Sequence, residues 1–279
     1  MTTGKTRPSR AVAAIAALLL AGCTTVADSQ PDLARYQTPQ PEFGLTRGPD
    51  GWYLSRMDAP FGTDAKSKIW RYPFDGGPPV LADITFEDTN ERDFSWDAAS
   101  QTGCFVRESD IWCAGWSAAE GWTMAERLPS PVNTGGYEAS PHVAPDGSLY
   151  FASQREGGMG QGDIYRARRT AAGWEVEPLG PAINSPTGEW NLALSPDGAT
   201  MVFEASGRQT NRTVPGDLYL SCLVDGEWQP AEPMHALNTD GSDLDFRFTG
   251  PREGVFTTAK IGGDGMLRYA GPEHFARCG

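Results

Sequence analysis

Apolar residues fall along this chain in short runs, each stopped by Gly, Pro, Asp or Asn, the pattern of β-strands joined by turns. The runs recur in order. WYLSR (52 to 56), CFVRE (104 to 108), LYFASQ (149 to 154), TMVFEAS (200 to 206) and VFTTA (255 to 259) each follow a turn: PDG (49 to 51), QTG (101 to 103), PDG (145 to 147), PDG (196 to 198) and REG (252 to 254). Pro, Asp and Gly in that order suit type I and type II turns, where Asp146 and Asp197 bond their own backbone. A further strand follows in SKIWRY (67 to 72), DIWCA (110 to 114), DIYRAR (163 to 168), DLYLSC (217 to 222) and MLRYAG (266 to 271). A less regular last strand holds GWTMAERL (121 to 128), GWEVEPL (173 to 179) and EWQPAEP (227 to 233).

Ahead of each turn stands an amide or acid, then Thr or Ser, three variable residues and an acid: QTPQPE (37 to 42), DTNERD (88 to 93), NTGGYE (133 to 138), NSPTGE (184 to 189) and NTDGSD (238 to 243). The closing acids, Glu42, Asp93, Glu138, Glu189 and Asp243, are 51, 45, 51 and 54 residues apart. Four antiparallel strands in each such period describe a propeller blade. The expected fold is an all-β, five-bladed β-propeller over 33–279. A sixth blade would need one without any of the markers. The last repeat ends after its third strand, so LARYQT (33 to 38) is expected to complete that blade as a strand and close the ring. Closure removes open sheet edges, which favours a monomer.

Composition agrees: 33 Gly and 22 Pro leave little room for long helices, while 39% hydrophobic and 10% aromatic residues supply a core. The net charge of −13 repels phosphate backbones, so nucleic acid is not an expected partner, whereas cationic ligands remain open.

Residues 1–22 carry Lys5, Arg7 and Arg10, then the uncharged run AVAAIAALLLAG, the form of a secretory signal peptide. Leu20, Ala21, Gly22 and Cys23 resemble the lipobox of bacterial lipoproteins. That resemblance implies cleavage before Cys23, its diacylation, and a polar tether over 23–32. Thr24 after the cysteine implies, by the family's sorting rule, the outer membrane facing the periplasm. Four further cysteines in an oxidising compartment are expected to pair. Cys104 and Cys113 bracket a hairpin turning at Glu108 and Ser109, which sets them opposite each other at a non-hydrogen-bonded pair. Cys222 and Cys278 remain to pair with each other.

The third and fourth repeats, EASPHVAPDGSLYFASQREGGMGQGDIYRA and NSPTGEWNLALSPDGATMVFEAS followed by GDLYL, resemble the TolB-type, WD40-like β-propeller repeat of bacterial envelope proteins. The resemblance implies a periplasmic propeller used for protein contacts, and no particular ligand or cofactor.

If the five acids ring one mouth of the channel, unit charges about 10 Å apart repel by about 1.7 kcal/mol at an effective dielectric near 20. Either each is bonded within its blade, or the ring collects a cation, calcium among them, or a basic partner group. Asp110, Asp163 and Asp217 are expected to hydrogen-bond between blades, and Trp70, Trp112, Tyr165 and Tyr219 to pack there. The loops 155–162 and 207–216 carry Arg155, Met159, Arg208 and Arg212, a basic spot suited to a partner. No Gly-x-Ser-x-Gly elbow occurs, and His142, His235 and His274 lack metal-ligand spacing, so no catalytic, cofactor or metal residues are assigned. The functional expectation is a membrane-anchored periplasmic propeller acting as a protein-binding or scaffolding module of the cell envelope. Its alternative is a lectin or glycosidase using paired carboxylates at the channel mouth, which a Trp beside those carboxylates would favour.

Overall fold

The computed structural model describes residues 32–60, 65–259 and 265–278. Five antiparallel sheets follow one another along the chain as the blades of a propeller. Blade 1 comprises β1 (Glu42–Arg47), β2 (Gly51–Met57), β3 (Ser67–Pro73) and β4 (Val80–Leu81). Blade 2 holds β5 (Glu91–Asp97), β6 (Thr102–Arg107), β7 (Asp110–Ser117) and an outer strand in two pieces, β8 (Gly121–Trp122) and β9 (Glu126–Arg127), both paired with β7. Blade 3 is β10 (Glu138–Val143), β11 (Leu149–Ser153), β12 (Asp163–Thr170) and β13 (Gly173–Pro178). Blade 4 repeats the split edge, with β14 (Gly188–Leu194), β15 (Thr200–Ser206), β16 (Asp217–Val224), β17 (Glu227–Trp228) and β18 (Glu232–Pro233). Blade 5 has β19 (Ser242–Gly250), β20 (Glu253–Ala259) and β21 (Met266–Ala270).

The hydrophobic core lies between blades rather than inside any one of them. Tyr53 and Ile69 of blade 1 pack on Phe94 and Phe105 of blade 2, and Tyr150 and Ile164 of blade 3 on Leu192 and Phe203 of blade 4. Each sheet thus buries both faces against its neighbours, which explains strands that are apolar on both sides. The ring closes where Leu54 and Tyr72 of blade 1 meet Val255 and Leu267 of blade 5. Thr257 Oγ1 crosses that seam to donate to the Glu42 carbonyl at 3.1 Å.

The segment ahead of blade 1 seals the same seam, but as a 3₁₀ turn over Leu33–Arg35 and not as a fourth strand of blade 5. Asp32 caps its first N–H groups, and Pro39 and Pro41, which follow, lack the N–H that a ladder needs. Tyr36 still inserts between blades 1 and 5, and Gln37 Nε2 donates to the Leu267 carbonyl at 3.2 Å. At the other end a 3₁₀ stretch, Pro272–Cys278, buries Phe275 against Phe246.

Both expected disulfides form, Cys104 with Cys113 and Cys222 with Cys278. The first joins opposite residues of β6 and β7 in the register read from the sequence, with Arg107 opposite Asp110. The signal peptide, Cys23 and nearly all of the tether fall outside the described residues.

The repeated amide has a definite use. The Asn133 side chain accepts from Ile111 N–H at 2.7 Å and donates to its carbonyl at 2.9 Å. Asn184 does the same to Ile164 and Asn238 to Leu218. Each asparagine ties the loop leading into one blade to the third strand of the blade before. Asp110, by contrast, pairs with Arg127 of its own blade, and Asp217 accepts N–H groups of its own loop, from Arg212 and Thr213. These two brace single blades instead of bridging them.

Candidate functional site

The five-acid ring is altered by the structure in two respects. First, the member contributed by blade 2 is Glu91, not Asp93. The loop before β5 is tighter, so Thr89 Oγ1 reaches the acid two residues on rather than four. Second, the acids turn away from the channel. Glu42, Glu91, Glu138, Glu189 and Asp243 are all fully buried, and strand alternation sends the residues after them to the mouth.

Within its blade each acid is answered. In blades 1, 3, 4 and 5 the Thr or Ser at the head of the motif donates through both N–H and hydroxyl, as Ser185 does to Glu189 at 2.9 and 2.6 Å, while in blade 2 Thr89 gives its hydroxyl and Phe86 the N–H. An arginine then approaches from the other side. Arg56 Nε lies 3.1 Å from Glu42, Arg107 Nε 3.1 Å from Glu91 and Arg208 Nη2 2.8 Å from Glu189, while Arg155 stands 3.7 Å from Glu138. Every one of these guanidinium groups lies over the third-strand aromatic, Trp70, Trp112, Tyr165 or Tyr219, at 4.5 or 4.6 Å. Blade 5 uses Thr258 Oγ1, 2.7 Å from Asp243, in place of arginine. The repeated carboxylates are therefore latches within blades, and among the described residues no three His, Cys, Asp or Glu side chains gather as a metal site.

The loops expected to face a partner have a related use. Arg155 and Arg208 belong to the latches, and Arg212 Nη1 donates to the Asn238 carbonyl at 2.9 Å. Gly162 bridges to Gly188 of the next blade, and its carbonyl accepts from Glu189 N–H at 2.9 Å. Of the four singled-out side chains Met159, at 46% exposed, and Arg212 stay exposed.

The channel itself is built by a feature the repeat search did not isolate. In every innermost strand the pairing slips by one residue, between Phe43 and Thr46, Arg92 and Ser95, Ala139 and His142, Trp190 and Ala193, and Leu244 and Arg247. Each bulge holds a residue at positive φ: Gly44, Asp93, Ser140, Asn191 and Asp245. Aligned on Glu91, the sequence signal is an acid followed two positions on by Gly, Asp, Ser or Asn, of which Gly, Asp and Asn are the residues that tolerate the left-handed region best.

These bulges form a polar belt. Asp93 Oδ2 accepts from Ser140 N–H at 3.1 Å, Ser140 Oγ donates to Asn191 Oδ1 at 3.0 Å, and Asn191 Nδ2 donates to Glu204 Oε2 of β15 at 2.6 Å. Asp245 interrupts it: its Oδ1 is buried without a hydrogen-bond partner, and Arg247 Nη2 is 3.7 Å away. Gly44, the one bulge residue without a side chain, leaves the space in which the Arg247 guanidinium lies, 3.8 Å from where a Cβ would stand. Burial first, and Asp245 next, push the Glu204 carboxyl up to about 8. Burial, then Asp93, lift Asp245 to about 7.

The belt separates two cavities. At the mouth where the innermost strands begin, about 300 Å³ is enclosed by Phe43, Arg92, Tyr137, Gln154 and Trp190 over Asp93, Asn191, Glu204 and Asp245. Arg92 lies over the Tyr137 ring and bonds its hydroxyl, and Tyr137 faces Trp190 with ring centroids 6.1 Å apart. At the opposite mouth about 380 Å³ is lined by Ser95, Trp96, His142, Leu194, Arg247 and Phe248 among others. Burial holds His142 down to about 3, so it is neutral there.

Comparison with known proteins bears on the fold. TolB from Acinetobacter baumannii superposes with a TM-score of 0.53 at 18% identity, covering 84% of this chain and 53% of that one. This chain therefore spans about half of the TolB structure it matches. An α-L-arabinofuranosidase from Podospora anserina in complex with cellotriose matches at 13% identity and a TM-score of 0.47, over 83% of this chain and 89% of that one. An α-L-arabinanase from Penicillium chrysogenum complexed with arabinobiose matches at 11% identity and a TM-score of 0.48, over 83% and 76%. No family model matches the sequence, and no curated protein does. What is shared with TolB is the β-propeller fold.

Proposed function

We propose that this protein is a lipoprotein of the outer membrane, held on its periplasmic face by acyl chains on Cys23, whose propeller is a binding module taking a carbohydrate at the aromatic mouth of its channel. The observation that carries this reading is Trp190 standing with Tyr137 over Asn191, Glu204 and Asp245. An aromatic face for the apolar side of a sugar ring, with side-chain amides and carboxylates to receive its hydroxyls, is the chemistry such a ligand requires. A cavity of about 300 Å³ is at the small end of ligand sites and admits a sugar unit better than a folded surface. Arg155 and Arg208, engaged in latches, leave a protein partner mainly Met159, the exposed Arg212 and backbone. Two acyl chains suffice to hold such a domain at a membrane, each buried CH₂ contributing about 0.8 kcal/mol.

A hydrolytic variant of the same reading is favoured by one observation, that Glu204 keeps its proton to about 8 beside other carboxylates, as a general acid must. The test is to capture ligands with the full-length protein, tagged at Gly279, from cells of the source bacterium, in parallel with Trp190→Ala. Glycan fragments retained by the native chain and lost in the variant are the expected result. Released shorter fragments would select the hydrolytic variant, and a defined set of envelope proteins held equally by both chains would replace the carbohydrate reading with a scaffold.

A further inference from the structure

Two acids on the cavity floor are answered less fully than the latch acids. The latch acids of blades 1 to 4 each face an arginine. Glu204, 8% exposed, has among the described residues no Lys or Arg within ion-pair distance; its Oε2 accepts from the neutral Asn191 amide. Asp245, 4% exposed, presents a carboxylate oxygen with no hydrogen bond, its one nearby cation being Arg247 at 3.7 Å. Such groups are costly to bury unanswered. Both lie at the floor of the same cavity, under the rings of Tyr137 and Trp190.

We propose that this floor recognises an ammonium group, so that the carbohydrate taken at the mouth is one bearing a free amine. The inference rests on the carbohydrate reading for the rest of the ligand. A protonated amine supplies up to three strong donors, one for the unbonded Asp245 oxygen, and the positive charge that Glu204 lacks, with aromatic faces to shield it from water. A neutral hydroxyl would leave Glu204 or Asp245 holding its own proton.

Binding should therefore release protons. Asp93 from β5 disfavours ionisation of both Glu204 and Asp245, Asp243 from β19 that of Glu204, and Arg92 and Arg247 favour it at Asp245. His142 stays neutral. When the ammonium settles between the two carboxyl groups, the carboxylic acid gives its O–H proton to the buffer and remains as carboxylate. No other bond is made or broken.

The experiment is calorimetric titration of the full-length protein in detergent at about pH 5.5, where the sugar amines enter already protonated and both carboxyl groups still hold their protons, in two buffers of different ionisation enthalpy. The probes are glucosamine oligomers, their N-acetylated counterparts and a short lysine peptide. The glucosamine oligomer should bind at least about tenfold tighter than the acetylated one, the worth of a hydrogen bond to a charged group, with about one proton released per ligand. Glu204→Gln should lose both the preference and part of the proton release. Equal or tighter binding of the acetylated oligomer would overturn the ammonium inference and leave the carbohydrate reading standing. Binding of the peptide alone would keep ammonium recognition and overturn the carbohydrate reading, and failure of all three probes would overturn both. The native-chain measurements decide this even if the variant does not fold.

Discussion

Arg107 Nε lies 3.1 Å from Glu91 Oε1, with the two side chains 5% and 0% exposed. The guanidinium is further bound to the Ile84 carbonyl at 2.8 Å and sits 4.5 Å from the centre of the Trp112 ring. One side chain therefore joins an inner strand, the loop leading into the blade and the third strand. The acid, arginine and third-strand aromatic recur in three other blades, so the repeated acid is a fastening of the fold.

Removing that fastening leaves a carboxylate buried with Lys68 as its remaining cation, 3.0 Å away. Arg107→Met should destabilise the propeller by about 3 kcal/mol, the lower end for breaking a buried ion pair. Urea unfolding would measure it. A change within about 0.5 kcal/mol, the usual range for surface positions, would mean the latch is ornamental.

Why was so much of the fold legible, and the site so little? Turn chemistry announced the blades, because PDG at 145 to 147 and 196 to 198 needs particular residues at particular places. The hairpin of Cys104 and Cys113 followed from its two-residue turn. The N-terminal strand failed because propensity and repeat phase both ignored Pro39 and Pro41. Asp93 was misassigned because DTNERD fits the spacing that Thr38 and Glu42 obey, while the loop there is two residues shorter. The belt escaped notice since its members, Gly44, Asp93, Ser140, Asn191 and Asp245, share a backbone conformation and not a side-chain type. Glu204 stands on a second strand, and nothing local in TMVFEAS distinguishes it from a solvated acid.

The belt also sets a pH dependence. Glu204 and Asp245 hold their protons to about 8 and about 7 when folded, whereas in the unfolded chain both ionise near pH 4. The folded state thus binds more protons between those limits, and stability is fully present below the unfolded values and lost as pH rises through 7 and 8. Asp146 and Asp197 shift the other way, Asp146 through its bonds to Ser148 and Arg166 outweighing burial, and Asp197 chiefly through its bond to Ser195. Their contribution is present above about pH 4 and lost in acid. The unfolding free energy should peak in mildly acidic solution and decline towards pH 9, and Glu204→Gln should flatten the alkaline side. A native chain that gains stability from pH 6 to 9 would contradict these assignments.

The two disulfides should contribute unequally. Cys222–Cys278 closes a separation of 56 residues and fixes the last segment on blade 4, whereas Cys104–Cys113 spans 9 within one hairpin. On the loop-entropy account the first is worth about 4 kcal/mol and the second about 2.5 kcal/mol. Thermal or urea unfolding of Cys222→Ser/Cys278→Ser against Cys104→Ser/Cys113→Ser tests the order. A larger loss from the hairpin pair would show that local geometry, rather than chain closure, governs their value.

Gly162 links fold and site most directly. It pairs with Gly188 across the junction of blades 3 and 4, and a Cβ added to it would stand 2.0 Å from Cζ2 of Trp190. The indole that walls the channel mouth is thus held in place by the bare backbone of the neighbouring loop. Gly162→Ala must displace the ring or the loop, with a cost of about 1 to 3 kcal/mol for overpacking. Gly135→Ala is the control, since nothing lies within 4 Å of its added methyl. The first variant should lower stability, shift the tryptophan emission and weaken binding of any ligand that stacks on Trp190, while the second should change none of these. If Gly162→Ala lost stability yet bound the ligand unchanged, Trp190 would be a wall of the fold alone, and the aromatic mouth would have to be sought at the opposite end, beside Trp96.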